Sequence, residues 1–370
     1  MPTLLDRSAN ALPLYTQLAA VLKERILDGT WPSGASLPTE KELCDEYAVA
    51  RGTVRQALQK LEEEGYIRRE QGRGTFVQAR HVNSAGGKLR TGHLAFVVPY
   101  VRDSSVSTIL IGFQQVAEHA EYSVIFHHVN NDAGQQEQVI RKLVRDGIDG
   151  IALYPVDSEH VSSLDSIVRS GPPIVLIDRY LRTLSTDYVM SDHFTGAIRA
   201  VHYLMDQGHT RVGFVTWLSP AVSMDHRYLG YCEALRERGI EPDPDLVCHV
   251  EGYPTVDISR LTTYLSTSNR PTAVLAANDQ IASAMYRATA AVGLSIPQDL
   301  GIVGFDNLDF TSHLDPPLTT VAQPFLKIGQ TAATLLLERI RGEHSTLHQI
   351  TLTPELIERQ SVMPLVSIQV

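Results

Sequence analysis

Apolar positions recur with helical spacing in PLYTQLAAVLKERILD, residues 13–28, where Leu14, Leu18, Val21, Leu22 and Ile26 predict a first amphipathic helix. TEKELCDEY then opens with Thr39 and carries Glu42 three residues later, the spacing of a capping box, and predicts a short second helix through Leu43 and Tyr47. After a turn at Val49 and Ala50, ARGTVRQALQ begins a third helix. Val54, Ala57, Leu58 and Leu61 share one face of it, and Gly52, Arg55, Gln56 and Gln59 share the other. The period then changes: YIRREQGRGTFV reads as two short strands about a turn containing Gly72 and Gly74. Helix, helix, turn, helix, hairpin is the order of a winged helix-turn-helix, assigned to residues 1–78.

QARHVNSAGGKLRT has no apolar period, and residues 79–91 are read as a linker. Beyond it short apolar runs alternate with amphipathic stretches: LAFVVP, SVIF, IDGIAL, IVLI, VGFVT, LVCHV, TAVLA and LGIVGF. Such alternation predicts parallel sheets with helices on both faces. Residues 92–370 exceed what one such sheet needs, so two lobes with doubly wound parallel sheets are expected. The fold class is therefore multidomain, an N-terminal winged helix followed by a two-lobed α/β domain.

Composition changes this picture in one respect. The 370 residues are 43% hydrophobic and 20% charged, ordinary for a globular chain, but the formal net charge is −10. Residues 1–80 hold three lysines and eight arginines against three aspartates and eight glutamates, so the whole acidic excess lies beyond them. An acidic surface repels phosphate at long range and argues against indiscriminate nucleic-acid binding, while leaving room for a local site. The three cysteines, Cys44, Cys232 and Cys248, are scattered and lack metal-binding spacing, which fits buried thiols in a reducing compartment. No membrane span or leader pattern is evident, and a cytoplasmic location is expected. His127 and His128 adjoin a strand end, but adjacent side chains on a strand point to opposite faces, so they are not expected to share a metal site; no metal or cofactor is expected.

A helix that reads the major groove needs one face for its own core and one face of donors suited to guanine. The third helix meets both demands, with Arg51 at its entrance, Thr53 within reach of phosphate and Arg55 on the free face. Neither arginine has an acidic neighbour inside ARGTVRQALQ; they are read as waiting for DNA, against the plainer alternative of pairing with Glu40, Glu46 or Glu62. Arg68, Arg69 and Arg73 add charge to the wing. LPTEKELCDEYAVARGTVRQALQKLEEEGYIRREQGRGTFV resembles the winged-helix domain of the gluconate-repressor (GntR) family along nearly its whole length. That resemblance implies DNA contacts at Lys41, Arg51, Thr53, Arg55, Gln71, Gly72 and Arg73. Ala50 departs from it, standing where many members carry a small hydroxyl residue.

In a two-lobed doubly wound domain ligands bind beyond the carboxyl ends of the strands. Asp178 follows IVLI, Asn278 and Asp279 follow TAVLAA, and Asp306 follows GIVGF. Carboxylates and amides can bind vicinal hydroxyls, and aromatic faces cover the apolar side of a sugar ring. LVRDGIDGIALYP, IVLIDRY, RYLGYCEALRERGI, PTAVLAANDQIASAMYRATAAVGLSIPQDLGIVGFDN and PPLTTVAQPFLKIGQTAATLLLERI are similar to the effector domain of the lactose/galactose-repressor (LacI/GalR) family, itself like periplasmic sugar-binding proteins. The resemblance implies polar effector contacts at Ser223, Arg227, Asn278 and Asp306, with Asp178 near the cleft and Tyr253 and Phe325 at the aromatic positions. Arg227 has no evident structural partner in the sequence. Asn278 and Asp306 are also candidates for helix caps.

The pairing of the two domains resembles the arabinose-repressor type. It implies a transcriptional repressor of carbohydrate uptake or catabolism genes, a homodimer on palindromic operator DNA, released when a sugar effector closes the lobes and changes the spacing of the DNA heads. The alternatives are the same architecture answering to a nucleobase or other small metabolite, and a solute-binding protein that does not touch DNA. No nucleophile elbow, phosphate loop or metal triad supports an enzyme.

Overall fold

The computed structural model describes residues 12–27, 30–31, 34–63, 66–70, 73–77, 90–101, 103–159, 164–219, 221–251, 256–343 and 346–365. The chain divides into two compact units, Met1–Arg90 and Thr91–Val370. The expected linker 79–91 falls almost wholly outside the described residues.

The first unit is built from helices α1 (Leu14–Leu27), α2 (Glu40–Tyr47) and α3 (Arg51–Glu63) and the hairpin β1 (Ile67–Glu70) and β2 (Gly74–Val77). Its capping box is present: the Glu42 amide donates to Thr39 Oγ1 at 3.3 Å and the Thr39 amide donates to Glu42 Oε2 at 2.7 Å. Ala48 ends α2 in the left-handed region at φ 51°, and the chain turns there into α3. Leu18, Leu22, Leu43, Val54, Leu58, Leu61 and Ile67 form the core. The expected apolar face of α3 is therefore buried, and Gly52, Arg55, Gln56 and Gln59 are exposed opposite it.

The second unit has two lobes. Lobe one holds β3 (His93–Val98), β4 (Ser123–His128), β5 (Gly150–Leu153), β6 (Ile174–Ile177), β7 (Asp187–Ser191) and β13 (Gln349–Leu352), in the order β13-β7-β6-β5-β3-β4. Every pairing in this sheet is parallel. Lobe two holds β8 (Val212–Trp217), β9 (Val247–Val250), β10 (Ala273–Ala276), β11 (Gly301–Asp306), β12 (Thr319–Ala322) and β14 (Glu355–Ile357), in the order β14-β12-β11-β10-β8-β9. Here only β14 runs antiparallel to its neighbour. GIAL, IVLI and AVLA read as unbroken apolar runs because β5, β6 and β10 are buried on both faces.

Helices α4 (Ser104–His119), α5 (Ala133–Arg145), α6 (Leu164–Ser170) and α11 (Phe325–Arg341) flank the first sheet. Helices α7 (His193–Asp206), α8 (Val222–Glu237), α9 (Ser259–Leu265) and α10 (Asp279–Ala291) flank the second. The chain crosses between lobes three times: from β7 into α7, from β12 into α11, and from β13 into β14. Three crossings join the lobes, and residues at the carboxyl ends of strands in both sheets line a shared cleft.

Candidate functional site

On the first unit the third helix presents Arg51 and Arg55 with side chains 70% and 60% exposed. They are not unpaired, as the decapeptide alone suggests. Glu40, in the first turn of α2, receives Arg51 Nε at 3.0 Å and Arg55 Nε at 3.1 Å, so the plainer of the two readings describes their contacts here. Partial burial works to raise the Glu40 carboxyl, but the hydrogen bonds and charges of the two arginines hold it below the ordinary range. An exposed ion pair is worth about 0–1 kcal/mol, so these contacts orient the arginines without withdrawing them from other anions. Lys41 is exposed on α2, Thr53 is half-buried on α3, and Arg73 stands exposed before β2 with Glu70 at 3.0 Å. Gln71 and Gly72 lie outside the described residues.

In the second unit a cavity of about 410 Å³ opens between the lobes at the carboxyl ends of the strands. Of the expected effector residues, Asp178, Ser223, Arg227, Asn278, Asp306 and Phe325 all line it; Tyr253 lies outside the described residues. The two aspartates reach it through uncommon backbone. Asp178 follows β6 at φ 67° and Asp306 ends β11 at φ 122°, a region non-glycine residues seldom occupy, and such strain is characteristic of ligand sites.

Arg227 requires a correction, because folding gives it several partners. Its Nε donates to His193 Nδ1 at 3.3 Å, its Nη2 donates to Asp306 Oδ1 at 3.3 Å, its Nη1 donates to the Ala277 carbonyl, and the guanidinium lies 3.9 Å from the centre of the Phe305 ring. A fully held arginine presents a fixed edge to the cavity and loses little freedom on binding. Burial, and then the charge of Arg227, hold His193 well below its usual range, so the ring is neutral. With Nδ1 accepting from Arg227, the proton sits on Nε2, which donates to the Asp178 carbonyl at 3.4 Å.

Asp306 Oδ1 also accepts from Gln323 Nε2 at 2.7 Å. Burial raises the Asp306 carboxyl; Arg227 opposes this, and the nearby charges of Asp103 and Asp178 add to it. Asn278 does serve as a cap, its Oδ1 accepting the Ile281 amide at 2.9 Å, and it lines the cavity as well. Its neighbour Asp279 is wholly buried, accepts from Thr320 Oγ1 at 2.7 Å and the Leu308 amide at 2.8 Å, and anchors the turn that carries Asp306. Phe325 faces the cavity and packs against the core of lobe one.

Asp103, Tyr154, Trp217 and Gln323 also line the cavity and were missed in the sequence, and Arg179, legible there only as a structural pair for Asp178, lines it too. Arg179 donates to Tyr154 Oη at 3.1 Å and to Asp178 Oδ2 at 3.4 Å; burial disfavours its charge, but Tyr154 and Asp178 outweigh it. Position could have revealed Asp103, which follows β3 and caps α4, and Trp217, which ends β8. Three buried polar atoms in the cavity wall have no protein partner: Ser223 Oγ, Gln323 Oε1 and Arg179 Nε. Among the described residues no cluster suited to a metal ion occurs, and no helix is long and apolar enough to cross a membrane.

Comparison with known proteins agrees with both units. The model of the bacterial regulatory proteins of the gntR family matches residues 14–77, and that of the periplasmic binding protein-like domain matches residues 201–362. The HTH-type transcriptional repressor CytR of Escherichia coli is 30% identical over 317 residues, covering 86% of this chain and 89% of that protein. The chain belongs to the HTH-type transcriptional repressors. This repressor joins a gntR-type DNA-binding head to an effector domain of the kind found in LacI-family regulators. It is a regulator of transcription and not an enzyme. The arabinose metabolism transcriptional repressor of Halalkalibacterium halodurans is 26% identical over 369 residues, covering 94% of this chain and 96% of that protein. A LacI-family transcriptional regulator from Enterococcus faecium, solved with bound ribose, is 27% identical with a TM-score of 0.64, covering 74% of this chain and all of that one.

Proposed function

We propose that the repressor holds an operator through Lys41, Arg51, Thr53, Arg55, Gln71, Gly72 and Arg73, and that a sugar bound by Asp178, Ser223, Arg227, Tyr253, Asn278, Asp306 and Phe325 releases it. The observation that carries the reading is the convergence of the six described members of the second set on one cavity at the strand ends, with Ser223 Oγ buried there and unpartnered. The relatives supply the ligand class: one is named for arabinose metabolism and one was solved with ribose. The arabinose relative also spans both units, in keeping with a shared pairing of head and effector domain joined by residues 79–91.

One winged helix touches too few base pairs to select a site in a genome, so the acting species is a homodimer on a palindromic operator, in the cytoplasm. Sugar shifts the lobes toward closure by its difference in affinity for the two states, and that difference bounds the change in operator affinity. A gel shift of the full chain on the promoter of its own gene tests both halves. Salt-sensitive retardation that is relieved by a pentose or hexose is expected. Absence of any retardation would sink the operator assignment; retardation indifferent to every sugar would sink the effector assignment.

A further inference from the structure

The unfilled hydrogen-bonding positions of the cleft say more than that it suits a sugar. Asp103, Asp178 and Asp306 line one cavity and interact electrostatically. Its two cations are already engaged: Arg227 by His193, Ala277 and Asp306, and Arg179 by Tyr154, Asp178 and the Val156 carbonyl at 3.2 Å. Neither lysine nor histidine occurs among the described lining residues.

The amide orientation of Gln323 is fixed by its partner. Its Nε2 donates to Asp306, so its buried and unpartnered Oε1 is an acceptor. Among the described contacts both protein hydrogen bonds to the Asp306 carboxyl end on Oδ1, which leaves Oδ2 to the ligand; burial pushes this carboxyl up to about 7, so Oδ2 accepts when ionised and donates when protonated. Helix N-termini attract anions; those of α4 and α10 at the cavity are taken up by Asp103 and Asn278, whose side chains accept the Ser105 and Ile281 amides at 3.0 and 2.9 Å, and that of α8 by Ser158 Oγ on the Val222 amide at 3.1 Å, whereas α11, which begins at the lining residue Phe325, has no side-chain cap.

We propose that the cleft selects an uncharged ligand rich in hydrogen-bond donors, a free sugar or glycoside, and excludes the phosphate ester of the same sugar. The inference rests on the sugar reading above and narrows it. A phosphate group at neutral pH carries about −1.5 to −2 charges and acts chiefly as an acceptor. In this cavity it meets carboxylates and a fixed amide oxygen, and the one unfilled cationic N–H described there, Arg179 Nε, belongs to a guanidinium already paired with Asp178. A hydroxyl donates to those atoms and still accepts from Asn278 Nδ2 and Arg179 Nε.

The test is calorimetric titration of the full-length repressor with matched probes: D-ribose and D-ribose 5-phosphate, L-arabinose and L-arabinose 5-phosphate, D-glucose and D-glucose 6-phosphate, and cellobiose and 6-phosphocellobiose. A neutral member should bind at least 10-fold more tightly than its ester. An ester that binds as tightly as its neutral partner overturns the proposal while leaving the sugar reading intact; heat from neither member of any pair overturns the sugar reading and this one with it. Asp103→Asn supplies a second arm, because asparagine caps a helix as well as aspartate and removes one charge. The gap between neutral and phosphorylated probes should narrow at least threefold, and an unchanged gap would overturn the charge argument even if the first arm succeeds.

Discussion

Ser158 of lobe one caps a helix of lobe two: its Oγ accepts the Val222 amide at 3.1 Å, at the first residue of α8. That helix has no side-chain cap of its own, and it carries Ser223, Met224 and Arg227 into the cleft. Its next residues also reach across, Asp225 to Arg182 and His226 Nε2 to Tyr180 Oη at 3.4 Å. Both partners of the Arg182–Asp225 pair are nearly half exposed, so the buried cap is the stronger link. Ser158→Ala is expected to remove about 1 kcal/mol from this contact between the lobes. Hydrogen exchange of the full chain should then quicken at the first turn of α8 and remain unchanged at its last. Equal protection in both variants would mean that Ser158 does not hold the lobes together.

Glu40 offers a contrast between charge and alignment. Replacing it with glutamine removes a negative charge that opposes phosphate, so binding to scrambled DNA should strengthen. The same change loosens the Nε contacts that hold Arg51 and Arg55 side by side. Good guanine contacts discriminate by about 1–3 kcal/mol each, so the ratio of operator to scrambled affinity should fall by about 10-fold. Competition gel shifts at fixed salt measure that ratio. A variant that gains equally on both DNAs would assign Glu40 to charge balance alone.

These two relationships also mark where sequence stopped being informative. The three head helices, the hairpin and eight strands were legible, because each buries a face whose period is written locally. The strands DYVMS, TTVA, QITL and ELI were not. They are short, mixed in polarity and next to the lobe crossings, and their ladders depend on neighbours distant in the chain. Asp178, Asn278 and Asp306 were legible because polar residues at the end of a buried strand have few other places to point. The partners of Arg227 were not, since His193, Ala277 and Asp306 lie 34, 50 and 79 residues away and only topology assembles them. Glu40, 11 and 15 residues from its arginines, could be named as a candidate but not chosen.

His193 gives the folded protein an acid-sensitive element. Burial and Arg227 depress its folded-state value well below 6.5, so the unfolded chain takes up a proton that the native state refuses. Its contribution is fully present above about pH 6.5 and is lost as pH falls toward the depressed value, by up to about 1.4 kcal/mol per unit. His209 and His226 shift in the same direction through burial, whereas Asp306, raised by burial, opposes them. The difference between wild type and His193→Asn isolates the histidine. Melting temperatures from pH 7.5 to 5.5 should fall more steeply for wild type than for the variant, and parallel slopes would contradict a neutral buried ring.

The crossing of α4 over α11 should tolerate no added atom. A Cβ on Gly329 would collide with the Ile109 carbonyl oxygen and lie 2.8 Å from the Phe113 amide nitrogen, both backbone atoms of α4 that no side-chain rotation can clear. Gly329→Ala must therefore separate the two helices, and overpacking of this kind costs about 1–3 kcal/mol. Because α11 begins at Phe325, two residues after Gln323 and at the lobe crossing, the strain reaches the cleft as well as the core. Gly52 in α3 is the matched control, since a Cβ there meets nothing within 4 Å and alanine favours a helix over glycine by about 1 kcal/mol. Thermal melts of the full chain should separate the two substitutions: Gly329→Ala should melt several degrees lower, and Gly52→Ala should leave stability unchanged or raise it. An unshifted melt for Gly329→Ala would show that the helices can part at no cost and that their contact does not fix the position of Phe325.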